Sequence, residues 1–106
     1  MKIFIVSHTH WDREWYKPSQ YFNTKLAYFF TELFTTLDND KYSYFMLDGQ
    51  MVMLEDYLQL YPQNKEKIAK YVRDKKLVIG PWYTQTDEFN PDAESIVRNL
   101  FNSSIH

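Results

Sequence analysis

The chain has 106 residues, enough for one domain with a core but at the small end for an enzyme built on a parallel sheet. Its 12 basic and 14 acidic residues are well mixed and leave a net charge of −2, so there is no basic stripe for nucleic acid, and the absence of Cys removes disulfides, thiolate nucleophiles and thiolate metal sites. No stretch reaches the length of a membrane span, and Met1-Lys2 leads into too few apolar residues for a signal-peptide core, so no membrane partner is expected and a cytoplasmic location is the default.

The first element is Ile3-Phe4-Ile5-Val6, an apolar run that reads as a buried strand. It leads directly into Ser7-His8-Thr9-His10-Trp11-Asp12-Arg13-Glu14-Trp15. If the extended conformation persists, the two-residue period of a strand projects His8, His10 and Asp12 to one side. Two imidazoles and a carboxylate on one side suit zinc or a similar divalent ion better than they suit an apolar core. A single His at a strand end is ordinarily a hydrogen-bonded rim residue, and an Asp after it ordinarily caps a turn. Three such groups at alternate positions, followed by an aromatic, are harder to account for as packing.

Pro18-Ser19 marks a turn, after which Tyr21 to Leu37 carries Phe22, Leu26, Phe29, Phe30, Leu33, Phe34 and Leu37 at helical spacing. Asp38-Asn39-Asp40 ends that helix, and Tyr42 to Leu47 reads as a second strand closing on Asp48-Gly49. Val52 to Tyr61 and Asn64 to Lys75 read as two helices separated at Pro62, and Leu77-Val78-Ile79 is a third short strand closing on Gly80-Pro81-Trp82. Asn90 as N-cap and Pro91 at the first helical position open the last helix, Ala93 to Ile105, striped by Ala93, Ile96, Val97, Leu100 and Phe101. That stripe has no clear apolar partner after it, as in a truncated strand-and-helix repeat.

The order β-α-β-α-α-β-α calls for an α/β fold with a parallel sheet and right-handed crossovers. In such folds ligands bind at the carboxyl ends of the strands. The residues there are His8, His10 and Asp12, then Asp48 and Gln50, then Trp82, Tyr83, Gln85 and Asp87. Asp48-Gly49 is also an ordinary turn pair and Asp87 an ordinary loop residue. Phe29, Phe30, Phe34 and Tyr57 belong to the core by their spacing, and the Lys65-Glu66-Lys67 and Arg73-Asp74-Lys75-Lys76 clusters to a solvated face. Aromatics reach 19% of the residues, which serves a sugar cleft or a plain core equally well, so the positions of the three Trp matter more than their number.

Five blocks, His8 to Tyr16, Leu47-Asp48-Gly49-Gln50, Leu54-Glu55-Asp56-Tyr57, Gly80 to Asp87 and Ala93 to Leu100, resemble in order the amino-terminal part of glycoside hydrolase family 38, the α-mannosidases. The resemblance spans residues 1–106 and is nearest to the bacterial branch of mannosylglycerate hydrolase and its 6-phosphomannosyl relative. It implies part of an irregular seven-stranded β/α barrel, a retaining mechanism on an α-mannoside substrate, and one zinc ion that contacts mannose hydroxyls. By the same resemblance His10 and Asp12 are zinc ligands, Trp15 is the platform under the mannosyl ring, and His8 supports the site by hydrogen bonding. A retaining glycosidase needs a nucleophilic carboxylate and a second one as acid and base. Neither has a counterpart here, nor does the remaining His ligand of the zinc, so the chain reads as an amino-terminal fragment with no catalytic residue of its own.

Rival readings are a metal-dependent deacetylase or phosphoesterase, since His-x-His after a first strand also occurs there, and a non-catalytic carbohydrate-binding or assembly module. The first gives no reason for Trp15 near the metal or for the later blocks; in the second His10 and Asp12 are structural and the aromatics provide stacking surfaces. Arg13 is open to an anionic substrate or to a surface pair with Glu14 or Asp12. An open sheet edge and uncovered helix faces make a homo-oligomer the expected state. Two protein ligands make a weak zinc site, because stable ones use three or four. The 106-residue chain by itself is therefore expected to leave an aryl α-mannoside intact in a chromogenic assay.

Overall fold

Helix α1 (Ser19–Leu37) buries Phe22, Leu26, Phe30, Leu33, Phe34 and Leu37, a stripe at steps of three and four that faces the rest of the chain. Its outer face carries threonines, and Thr24, Thr31, Thr35 and Thr36 each turn a hydroxyl back to the carbonyl four residues earlier. The computed structural model describes residues 1–13, 15–39, 41, 44–87 and 89–105, with Ile105 by its backbone alone. Glu14, Asp40 and Tyr42, which enter the readings above, lie outside the described residues.

The two strands are short. β1 (Phe45–Met46) runs parallel to β2 (Leu77–Val78), with Phe45 opposite Leu77 and Met46 opposite Val78. On the other side of β1 a parallel bridge joins His8 to Met46, whose N–H donates to the Ser7 carbonyl at 3.0 Å. The amino-terminal segment, β1 and β2 therefore lie side by side in that order and point the same way, as the alternation of strands and helices requires.

One expectation fails at the start of the chain. Ile3, Phe4 and Ile5 are exposed at 76, 84 and 84%, and no strand forms over residues 3–6. The pairing with β1 is made at Ser7 and His8 only, so the apolar run extends past the ladder, with no described element to cover it. An apolar run is buried only where neighbours exist on both sides.

Helix α2 (Met51–Leu60) has Met51, Val52, Met53, Leu54, Asp56 and Tyr57 buried, so its first half is enclosed on nearly every side. It ends at Tyr61, whose extended φ of −131° is what the following Pro62 favours. A 3₁₀ turn (Pro62–Asn64) leads to α3 (Lys65–Arg73), which buries only Ile68 and Tyr71 and keeps its charges in water. Lys75 then takes a left-handed φ of 58° and the Lys76 N–H returns to the Tyr71 carbonyl at 2.9 Å, a left-handed helix ending made without glycine. Lys76 departs from the solvated-face reading, because its Nζ donates to the Leu37 carbonyl at 2.9 Å and so satisfies the end of α1.

Part of the aromatic content goes into the core, where Phe22, Phe30, Phe34, Tyr57 and Tyr71 are buried. The Phe30 and Tyr57 rings lie 4.3 Å apart, Phe34 contacts Tyr57 at 5.9 Å, and Phe34 stacks on Tyr71 at 5.5 Å, so α1 meets α2 and α3 through rings. Helix α4 (Ala93–Ile105) starts differently from its expected cap. Asp92, not Asn90, is the N-cap, its Oδ1 accepting the Ser95 N–H at 2.8 Å, while Asn90 and Pro91 belong to the preceding turn. Of its apolar stripe, Val97, Leu100 and Phe101 stay exposed at 59, 38 and 57%.

Phe30 is fully buried between α1 and α2. Phe30→Ala is expected to lower unfolding free energy by about 3–5 kcal/mol in urea denaturation, because it deletes a ring from a packed interior.

Candidate functional site

Two tight turns bring the strand ends together. After β1, Asp48 and Gly49 both adopt positive φ, 55° and 74°, and Gln50 N–H closes the turn on the Leu47 carbonyl at 3.2 Å. A Cβ at position 49 would sit 3.2 Å from both the Gly80 carbonyl oxygen and Trp82 Cδ1, so glycine is what lets the loop after β2 lie against the loop after β1. Helix α2 has no side-chain cap. Its first amides are satisfied by that second loop instead, Met51 N–H donating to the Trp82 carbonyl at 3.0 Å and Val52 N–H to the Tyr83 carbonyl at 2.9 Å. Asn99 of α4 holds the loop from the far side, its Oδ1 accepting the Tyr83 and Thr84 amides at 2.8 and 3.0 Å and its Nδ2 donating to the Thr84 carbonyl at 2.6 Å.

On this frame His8, His10, Asp12, Asp48 and Gln85 meet. His10 Nε2 lies 3.7 Å from Asp12 Oδ1, and His10 Nδ1 lies 3.9 Å from Asp48 Oδ2. His8 Nδ1 lies 3.6 Å from Asp48 Oδ1, and Gln85 Nε2 donates to Asp48 Oδ2 at 3.2 Å. Asp48 does not cap α2; it lies between the two imidazoles. Zinc bonds to N and O of about 2.0–2.2 Å place two tetrahedral ligand atoms roughly 3.4 Å apart, so the His10 Nε2 and Asp12 Oδ1 pair fits a shared cation in both chemistry and spacing. Among the described residues no third His, Cys, Asp or Glu completes a metal-holding group with them.

The other expected residues have different positions. Gln50 is buried and makes a reciprocal pair with the backbone of Trp11, its Oε1 accepting the Trp11 N–H at 3.2 Å and its Nε2 donating to the Trp11 carbonyl at 3.1 Å. The Trp11 ring packs against Phe22 and Phe29 at 6.4 and 6.1 Å, as a core anchor. Trp15 is 76% exposed and touches Tyr16 edge-on, while Trp82 is half-buried beside Gly49. Asp87 folds back on its own turn, accepting from Asn90 Nδ2 at 2.8 Å, and does not join the histidines.

Arg13 departs from both of its expected roles. Its guanidinium grips Asp56 on α2 by two bonds, Nε to Oδ2 at 2.8 Å and Nη2 to Oδ1 at 3.0 Å. Asp56, which sequence reasoning met only within the Leu54-Glu55-Asp56-Tyr57 block, is the signal for this contact, a buried carboxylate among the apolar positions of α2. Together Arg13 and Gln50 fasten residues 11–13 to α2, next to His10 and Asp12. On the preceding residue of α2, Glu55 accepts a hydrogen bond from the Tyr83 hydroxyl. That bond, then burial, then the Glu55 charge raise the Tyr83 phenol from 10.0 to about 12.

The profile of the family described as glycosyl hydrolases family 38, N-terminal domain, matches residues 1–104. A protein of Halalkalibacterium halodurans named "Putative mannosylglycerate hydrolase" is 48% identical over 99 residues, which are 91% of this chain and 11% of that protein. Alpha-mannosidase 2 of Arabidopsis thaliana is 24% identical over 102 residues, 94% of this chain and 9% of its own length. The crystal structure of an alpha-mannosidase from Enterococcus faecalis superposes with a TM-score of 0.87 at 42% identity, covering 94% of this chain and 11% of that one. A second Enterococcus faecalis protein, described as in glycosyl hydrolase family 38, gives a TM-score of 0.83 at 38% identity, covering 96% of this chain and 12% of that one. The chain spans about a tenth of the length of these relatives.

Two outcomes follow from the anchoring contacts. Arg13→Ala leaves the buried Asp56 carboxylate without its bidentate partner and should lower stability by about 1–3 kcal/mol in chemical denaturation, with Asp56→Asn milder. The Tyr83 phenol keeps its proton in the folded protein above the pH at which the unfolded chain loses it. Stability is therefore expected to fall as pH rises from the unfolded value of 10.0 to about 12, and Tyr83→Phe should flatten that fall in denaturation curves taken across the window.

Proposed function

Because the chain belongs to the glycosyl hydrolase family 38 N-terminal domain family, we propose that it is the amino-terminal segment, residues 1–106, of the catalytic domain of a zinc-dependent retaining α-mannosidase. The reading rests on the match over residues 1–104 taken with one geometric fact, the His10 and Asp12 side chains facing each other at 3.7 Å beyond the end of a parallel strand ladder. Mannosylglycerate or a 6-phospho form of it is the proposed substrate class, in keeping with the name of the relative at 48% identity. The full domain in this proposal is a seven-stranded β/α barrel, of which the segment supplies the first strands and their helices.

Each residue has a part in this reading. His10 offers Nε2 and Asp12 offers Oδ1 to one divalent ion, and both ligands bind it in their deprotonated forms, so acid releases the metal. When bound, zinc would hold two sugar hydroxyls and favour a distorted ring, which uses binding energy for orientation. Trp15, exposed on the same loop, provides an apolar face against which a mannosyl ring stacks. Arg13 and Gln50 keep that loop on α2. The nucleophile, the acid/base carboxylate and the further metal ligands come from elsewhere in the protein. Coverage of the exposed Ile3–Ile5 run and of the Val97, Leu100 and Phe101 face, by the rest of the protein or by a second copy, belongs to the same proposal.

The decisive experiment uses the protein that carries this segment. His10→Ala and Asp12→Ala are each expected to reduce hydrolysis of an aryl α-mannoside by at least about 100-fold, because each removes a ligand of the ion. Chelation should remove activity and added zinc restore it. Full activity in either variant would discard the metal assignment.

A further inference from the structure

We infer that Asp48 is the positioning residue for His10, holding the ring through Nδ1 so that Nε2 is presented beside Asp12. The inference rests on the metal reading above and goes beyond it, since it concerns a residue that does not touch the ion.

The two nitrogens of His10 face different carboxylates. Nε2 is 3.7 Å from Asp12 Oδ1, and Nδ1 is 3.9 Å from Asp48 Oδ2. A neutral imidazole carries one proton, and the nitrogen facing an acceptor takes the N–H while the other keeps its lone pair. With a cation shared between Nε2 and Asp12, Nε2 must keep its lone pair, and the N–H then falls on Nδ1, the nitrogen that faces the Asp48 carboxylate. This is the carboxylate, imidazole and metal arrangement by which outer partners orient a ligand ring.

Asp48 is built to be the fixed member. Its side chain is 21% exposed, against 55% for His8 and 63% for His10, so the aspartate is set in the fold and the imidazoles adapt to it. Gln85 from the loop after β2 donates to Oδ2 at 3.2 Å, and His8 Nδ1 lies 3.6 Å from Oδ1, so both carboxylate oxygens have neighbours drawn from other strand ends. The backbone at Asp48 is left-handed, with φ 55°, a conformation that a non-glycine residue holds at a cost. That turn is what directs the side chain toward the histidines rather than toward the amides of α2.

Two substitutions separate the carboxylate from the backbone. Asp48→Asn keeps size and tolerates the left-handed conformation, and Asp48→Gly accepts it with no side chain. Zinc affinity is measured in the protein carrying this segment by competition with a chromophoric chelator, alongside the melting temperature of the metal-free form. The expected result is zinc binding weakened about 10- to 100-fold in Asp48→Gly and less in Asp48→Asn, with metal-free melting not lowered, since a merely structural role would lower the melting temperature as well. Affinities within twofold of the parent in both variants overturn the inference. So does a crystal structure of the zinc-loaded parent in which His10 coordinates through Nδ1, or in which Asp48 is itself a ligand, and this measurement decides the matter even if both variants fold poorly. His10→Ala in the same assay distinguishes the failures. If it retains zinc, or the parent binds none, the metal reading falls and this inference with it, whereas loss of zinc in His10→Ala but not in the Asp48 variants removes this inference alone.

Discussion

Two loops meet where residue 49 has no side chain, and the candidate site depends on that close approach. The Gly80 carbonyl and the Trp82 ring occupy the space that a Cβ at position 49 would contest at 3.2 Å. Because they can sit there, the carbonyls of Trp82 and Tyr83 reach the first amides of α2, Gln85 reaches Asp48, and Asp48 lies between His8 and His10. A Cβ at position 49 would require the Gly80 carbonyl or the Trp82 ring to give way by a few tenths of an ångström, in the loop from which these contacts are made. The positive φ of 74° adds a second, independent demand for glycine at that position.

What could be read from the chain itself was the part governed by local periodicity. The α1 stripe, the break at Pro62 and the parallel order of the strands follow from spacing and turn chemistry over a few residues. The alternation of His8, His10 and Asp12 likewise placed them near one another, although only His8 sits in a ladder. Contacts over long sequence separations were hidden. Arg13 and Asp56 are 43 residues apart, and Trp11 and Gln50 are 39 apart, so nothing in the neighbourhood of either residue announces its partner. The cap of α4 failed for a different reason, since Asn90 and Asp92 flank one proline and both have cap chemistry; only the hydrogen bond to Ser95 decides between them.

The aromatic residues divide by function in a way composition could not show. The Phe30, Phe34, Tyr57 and Tyr71 rings join the helices, and Trp11 ties the amino-terminal loop to α1. Trp15, four residues later on the same loop, faces outward. One indole packs on α1 while the other, on the same loop, stays open to solvent. That combination is suited to stacking on a flat apolar ring face.

Asn99 has a wider consequence than the bonds it makes. With Ser103, which donates to the Pro81 carbonyl, it makes α4 and the loop after β2 a single mechanical piece. Gln85 travels with that piece and meets Asp48 at its end. The exposed face of α4, which carries Val97 and Phe101, is thus tied through Asn99, the loop after β2 and Gln85 to the carboxylate between the histidines.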